Sequence, residues 1–229
     1  VDHLEAHTLS HFIAENDEQK MPQFPFLCLL VSGGHTQIML MKDYFSNEII
    51  GETIDDAAGE AYDKAAKIMG LQYPGGPIID KLSVLGNHLK YKFAEPQIPD
   101  LNFSFSGLKT SFLYFIRDNL KNDPNFIEIN KNDLAASIQF TINNMLVKKL
   151  IKASKITGIK QIAIAGGVSA NNGLRKMLYE TSVKMGWDLF IPKFEYTTDN
   201  AAMVAVSAYY KYLKGEFSNL NITPYARKS

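Results

Sequence analysis

The 229 residues are enough for one large domain or two small ones. Hydrophobic residues make up 46% of the chain and charged residues 21%, the balance of an ordinary globular protein. No apolar run is long enough for an ordinary membrane-spanning helix. Lys plus Arg and Asp plus Glu both total 24, so the zero net charge excludes recognition of nucleic acid through a global basic field. A local basic patch or a companion subunit would have to supply it.

Residues 2–15 suit a helix, with Leu4, Phe12 and Ile13 apolar. His3 and His7 then share a face, and His11 continues the row. Two imidazoles one turn apart can chelate a metal ion, although chance surface histidines give the same pattern. The run is H-x-E-x-H, so Glu5 does not follow the first histidine as it does in zinc peptidases. That leaves a metallopeptidase without an evident general base.

After a polar loop over 16–23, residues 26–41 read FLCLLVSGGHTQIMLM. The unbroken apolar run 26–31 predicts a strand buried on both faces. The lone Cys28 falls inside it, and an inert buried thiol is expected there. Ser32-Gly33-Gly34 predicts a hairpin turn in which the glycines reach φ > 0 and can aim backbone N–H groups at a phosphate. A tight turn with no ligand is the alternative. A third strand near 48–53 completes a meander.

The next segment, DDAAGEAYDKAAKIMG, predicts a helix closed by Gly70. Asp55 and Asp56 are expected to sit favourably against its dipole. Asp63 is expected either to pair with Lys67 or to serve a ligand. Tyr73-Pro74-Gly75-Gly76-Pro77 predicts a rigid loop before a helix, and residues 102–105 a short strand. Helices follow from 106 and over 132–156, and the chain closes as strand 161–165, helix 171–185, strand 187–191 and helix 199–213. A second Gly-Gly pair, Gly166-Gly167, follows a strand at the end where open α/β sheets bind ligands. Two such turns predict a nucleotide gripped from both sides.

HLEAH, LLVSGGHTQ, GEAYDKAAK, YPGGP, SFSGLKTS, AIAGGVSANNGLR and TTDNAAM occur in that order. The set resembles the bacterial and organellar tRNA N6-adenosine threonylcarbamoyltransferases, formerly called O-sialoglycoprotein endopeptidases, from His3 to about Met203. The resemblance implies an α/β fold of the actin-like ATPase and sugar-kinase class, with two related lobes around a nucleotide cleft. Residues 1–105 would be the remainder of an N-terminal lobe and 106–229 the C-terminal lobe.

The resemblance also implies transfer of threonylcarbamoyl from threonylcarbamoyl-adenylate to N6 of the adenosine beside the anticodon, in tRNAs reading codons that start with A. His3, His7 and Asp199 would hold one divalent ion, iron or alternatively zinc. Asp199 could instead cap the last helix. Leu30, Val31, Ser32, Gly33 and Gly34 would line the carbamoyl and phosphate region, Asp63 would meet the ribose, Gly76 would approach the nucleotide and Asn171 would contact the adenosine. Expected partners are tRNA, a paralogous subunit and a small ATPase, in the cytoplasm or an organellar matrix, with no membrane. Lys109, Arg117 and Arg175 are candidate tRNA contacts.

The chain departs from the family pattern in two ways. Ala6 stands where the family's first metal motif usually has glycine. An upstream segment of the family has no counterpart here, so an N-terminal truncation and an incomplete first lobe are expected. An ATPase or sugar kinase of the same fold, or an inactive scaffold, are the alternatives.

Overall fold

The computed structural model describes residues 1–14, 16 and 19–223. The first helix, α1 (His3–Leu9), is capped by Asp2, whose carboxylate accepts from the Leu4 and Glu5 amides. It is shorter than the span 2–15. At Ser10–Phe12 the backbone tightens into a 3-10 turn, and Glu15, at the end of the expected helix, lies outside the described residues.

Phe26–Val31 forms β1, buried at every position. Thr36–Met41 (β2) folds back antiparallel with Val31 opposite Thr36, and Asn47–Glu52 (β3) continues the meander, with a bulge between Ile38 and Met39. Four helices follow: α2 (Ala58–Ile68), α3 (Gly75–Ser83), α4 (Ser106–Leu120) and α5 (Phe126–Thr157). The chain re-enters the sheet as β4 (Gln161–Ala165), parallel to β1. Helix α6 (Asn172–Met185) leads to β5 (Asp188–Phe190), parallel to β4, and α7 (Ala201–Leu213) closes the chain. The sheet order is β3-β2-β1-β4-β5. Strands from both sides of residue 105 therefore share one sheet, with β1 and β4 as direct neighbours.

Alternation along the central strands divides the core in two. Leu27, Leu29, Val31, Ile162 and Ile164 pack with side chains of α2, α5 and α6, including Tyr62, Ile138, Ile142 and Leu174. Phe26, Cys28, Leu30, Ala163 and Ala165 face the other way, toward Leu9 and Phe12. Burial pushes the Cys28 thiol far above its ordinary pKa. On this second face Tyr210 of α7 stacks on Tyr44 at 3.7 Å and meets Phe12 edge-on. These rings fix α7 against α1, which brings the start of α7 to the histidines.

Several sequence expectations change. The 102–105 segment makes only an isolated bridge between Thr53 and Phe103. Helix α5 starts at Phe126, not near 132, because Phe126 packs against Phe115 at 5.9 Å and Tyr91 at 6.1 Å. Asp55 does not serve the helix that follows it. Its carboxylate accepts from the Phe105 amide at 2.8 Å, the Ser106 amide at 3.4 Å and the Ser104 and Ser106 hydroxyls. It thus caps α4, whose own N-cap residue Phe105 offers no side-chain oxygen. Burial raises the Asp55 pKa, but these hydrogen bonds outweigh it and hold the group below the usual carboxylate range. Asp56 pairs with Lys64 at 2.7 Å instead of facing a dipole.

His11 also leaves its expected place. The 3-10 turn swings it off the face of His3 and His7 and under the sheet, where it is buried and its Nε2–H donates to the Ile164 carbonyl at 2.9 Å. Burial lowers its pKa from 6.5 to about 4, against the opposing pull of that hydrogen bond.

Two outcomes follow from these contacts. Asp55→Ala is expected to cost about 1–2 kcal/mol, the range for losing a helix N-cap, read by urea unfolding, with no cooperative change elsewhere. For His11, the unfolded chain binds a proton near pH 6.5 that the fold refuses until about pH 4. Stability is then full above about pH 6.5 and falls as the pH drops to about 4, by about 3 kcal/mol in all. His11→Gln should flatten that segment of the stability curve, and an unchanged slope would show that His11 does not cause it.

Candidate functional site

The carboxyl ends of β1 and β4 carry the two glycine turns side by side. After β1, the Ser32 amide donates to the His35 carbonyl at 2.8 Å, and the Ser32 hydroxyl accepts from the Gly34 and His35 amides. Neither Gly33 nor Gly34 uses the left-handed region, contrary to expectation. A Cβ on either would meet nothing within 4 Å, so these residues keep space open. The glycine that needs φ > 0 is Gly166, at φ +85°, where a Cβ would lie 2.5 Å from the Val31 carbonyl oxygen. Gly59 plays a similar part at the start of α2: its amide donates to Ser32 O at 3.2 Å, and a Cβ would lie 2.5 Å from that oxygen.

A cleft of about 760 Å³ opens beside these turns. Its lining includes Gly33, Asp63, Gly76, Asp80, Gly167 and Asn171. Both turns line this one cleft, the first through Gly33 and the second through Gly167. Asp63 does not pair with Lys67; its Oδ1 accepts from the Gly75 amide at 2.7 Å, and this bond fixes the first turn of α3, which starts at Gly75 rather than after the expected 73–77 loop and so carries Gly76. Leu30 and Val31 are buried in β1, on opposite faces of the sheet. Asn171 caps α6 by accepting from Leu174 N at 2.7 Å. Sequence reading missed Asp80, whose carboxylate accepts from the Asn172 amide, the Asn172 side chain and the Gly173 amide. An acidic residue in the helix after a Gly-Gly-Pro loop was the only signal for it.

The histidines sit on the other side of the same edge. His3 Nε2 lies 3.5 Å and His7 Nε2 3.2 Å from Asp199 Oδ1, and one ligand atom from each of the three falls within 4.8 Å of the others. The rings meet edge-on, with centroids 4.8 Å apart. Asp199 is exposed and precedes α7, while Asn200 caps that helix by accepting from Met203 N at 2.8 Å. The capping alternative for Asp199 is thereby removed. His7 is buried and its pKa is lowered, first by burial and then by His3, against the pull of Asp199. Two imidazoles with one carboxylate are a donor set that fits a divalent ion, and three protein ligands leave positions open. Ala6 is buried in the interior of α1. The cleft and the cluster adjoin: a Cβ on Gly167 would lie 4.0 Å from the methyl of Thr198, the residue before Asp199.

The candidate tRNA contacts differ in availability. Arg175 is half-buried, donates to the Ser169 and Pro192 carbonyls and packs over the Phe194 ring at 3.9 Å. It ties the turn after β4 to the segment after β5. Arg117 is exposed and pairs with its neighbour Asp118. Lys109 is half-buried on α4.

The family model of TsaD, tRNA N6-adenosine threonylcarbamoyltransferase, matches residues 1–206. The chain is 59% identical to the tRNA N6-adenosine threonylcarbamoyltransferase of Phocaeicola vulgatus and 57% identical to that of Porphyromonas gingivalis, in each case over 99% of this chain and 67% of the relative. For the protein of Clostridium botulinum the identity is 46%, over 97% of this chain and 64% of the relative. The chain thus spans about two thirds of the length of these relatives. Among solved structures, full-length HypF in a phosphate- and nucleotide-bound form superposes with a TM-score of 0.71 at 14% identity, covering 95% of this chain and 36% of HypF. HypF of T. kodakarensis gives 0.67 at 14% identity, over 94% of this chain and 37% of that one. At that identity the likeness concerns the fold, which is of the actin-like ATPase and sugar-kinase class. By sequence along nearly its whole length, the chain belongs to the tRNA N6-adenosine threonylcarbamoyltransferase family.

Proposed function

We propose that this chain carries the substrate cleft and metal site of a tRNA N6-adenosine threonylcarbamoyltransferase. It would take threonylcarbamoyl-adenylate and pass the threonylcarbamoyl group to the N6 amine of the adenosine beside the anticodon, in tRNAs reading codons that start with A. A bond forms between N6 and the carbamoyl carbon, the bond from that carbon to the phosphate oxygen breaks, AMP leaves with the electron pair, and the proton that N6 gives up passes to solvent. The observation that carries this reading is the convergence of His3, His7 and Asp199 next to the cleft. An ATPase or sugar kinase of the same fold has no need of that cluster.

In the cleft, the open Gly33-Gly34 turn offers backbone amides and space to the carbamoyl phosphate, with no Cβ in the way. Asp63 would face the ribose hydroxyls, Gly76 in the first turn of α3 would approach the nucleotide, and the Asn171 turn would border the adenosine. His3, His7 and Asp199 would hold one ion, iron with zinc as the alternative. When bound, the ion offers a Lewis acid that offsets negative charge on the carbamoyl oxygen. HypF was solved with phosphate and nucleotide, which supports a nucleotide in the same fold here. The proposed partners are tRNA, a paralogous subunit and a small ATPase, and the proposed location is the cytoplasm or an organellar matrix.

Metal content tests the reading. Anaerobically purified protein should hold about one ion, and His3→Ala, His7→Ala and Asp199→Ala should each lose it together with transfer to tRNA, assayed with the companion proteins. Asp199→Ala should keep the unfolding midpoint, whereas Asn200→Ala should cost about 1 kcal/mol and keep the metal. Transfer without metal would overturn the mechanism. A second test concerns the ribose. Asp63→Ala should weaken adenylate binding by about 1.5–3 kcal/mol, the range for a hydrogen bond to a charged group. Calorimetry with a non-hydrolysable analogue reads this, and equal affinity would remove Asp63 from the site. Asp63→Asn, which keeps an acceptor for Gly75 N, separates loss of the ribose contact from loosening of the first turn of α3.

A further inference from the structure

A directed chain of hydrogen bonds runs beneath the cleft through four helices or their caps. The Tyr62 hydroxyl (α2) donates to Asn143 Oδ1 (α5) at 2.8 Å, and Asn143 Nδ2 donates to Asn171 Oδ1, at the cap of α6, at 3.2 Å. Asn171 Nδ2 donates to Gln139 Oε1 (α5) at 2.7 Å, and Gln139 Nε2 donates to the Ser83 hydroxyl (α3) at 2.6 Å. Ser83 in turn donates to the Asp80 carbonyl at 2.7 Å. Tyr62, Gln139, Asn143 and Asn171 are all buried. Each amide has its orientation set by the next, because flipping any one would place donor against donor or acceptor against acceptor.

The chain joins the two walls of the cleft. Tyr62 on α2 and Asp80 on α3 line it together with Asn171 and its turn at the start of α6. Gly173 is the point of closest approach: a Cβ there would lie 2.5 Å from Gln139 Nε2 and 3.2 Å from Asn143 Nδ2. The first turn of α6 therefore rests directly on the two α5 amides. Asp80 closes the loop from the other wall, with its carboxylate on the Asn172 and Gly173 amides. Side chains that filled this space without polarity would leave Asn171 held only by its cap bond from the Leu174 amide.

We infer that Asn143 and Gln139 are positioning residues, whose amides fix the spacing and orientation of the Asn171 turn against the Asp80 wall so that the cleft accepts the adenosine of its substrate. They do not touch the ligand; they act through Asn171. This rests on the nucleotide reading of the cleft given above.

The probe is AMP, the leaving group of the proposed reaction, titrated calorimetrically into the full chain alongside thermal unfolding. Gln139→Met is close in size but removes both the acceptor for Asn171 and the donor to Ser83. It should weaken AMP binding by about tenfold or more, the effect of losing one buried hydrogen-bond partner. Asn143→Asp should do the same, since it turns an oxygen toward Asn171 Oδ1. Gln139→Glu keeps the acceptor facing Asn171 and should recover part of what Gln139→Met loses. Thr141→Val lies between them on α5, where the Thr141 hydroxyl donates only to Ser137 O. It should lower the unfolding midpoint without changing AMP affinity. Should Asn143→Asp fail to fold, the two Gln139 variants decide. Folded Gln139 variants with wild-type affinity would overturn the inference, as would an affinity loss that merely tracks the unfolding midpoint. Wild-type protein that binds no AMP would overturn the nucleotide reading of the cleft, and the inference with it.

Discussion

The arrangement depends on the parallel pairing of β1 with β4. That pairing carries both glycine turns to one edge of the sheet, and it is possible at the contact point only because Gly166 lacks a side chain facing the Val31 carbonyl. A backbone at φ +85° then sends the chain into the short turn that carries Gly167 to Asn171. Gly59 meets the same demand on the other side, where the start of α2 closes on Ser32. The cleft is thus bounded by three backbone segments held at van der Waals distance, and side chains are placed around them. Loss of either close approach would separate the walls without removing a single polar residue from them.

Much of this could be read from sequence, and the failures share a cause. Unbroken apolar runs marked β1 and β4, and glycines after them marked the turns, because strand burial and chain reversal are local demands on composition. The histidine pair was visible in helical spacing, and its carboxylate only through resemblance. Asp55 was misread because a cap can be lent from a distant segment; nothing near 55 in sequence signals that α4 lacks one of its own. His11 followed the helical row until Ser10, where the backbone tightened and rotated it inward. The glycine needing a left-handed backbone was assigned to the wrong pair, since two Gly-Gly turns look alike until the neighbouring strand is known. Asp80 and the α5 amides were unreadable, because periodicity places Gln139 and Asn143 on a buried face without saying what they meet there.

The chain's neutral charge also takes on a structural meaning. Many of its cations are held by the protein itself. Lys149 donates to the Ile98 and Asp100 carbonyls and Lys152 to the Asp100 carbonyl. Lys148 pairs with Glu95, Lys64 with Asp56 and Glu60, and Arg175 is bound to main-chain oxygens. These side chains fasten the irregular 95–100 segment to α5 and the turn after β4 to the chain beyond β5. Charge counted from sequence overstates what such a surface can offer a phosphate backbone.

Cys28 has a use that chemistry has not given it. Its sulfur lies in the middle of the central strand with no exposed surface, and burial keeps it a neutral thiol at any physiological pH. Alkylating reagents require both access and a thiolate, so neither is met while β1 is flanked by β2 and β4. The rate at which an added iodoacetamide labels this single sulfur under native conditions therefore clocks the opening of the sheet's centre. The protein carries its own stopwatch for cooperative unfolding, set at the strand from which the cleft is built.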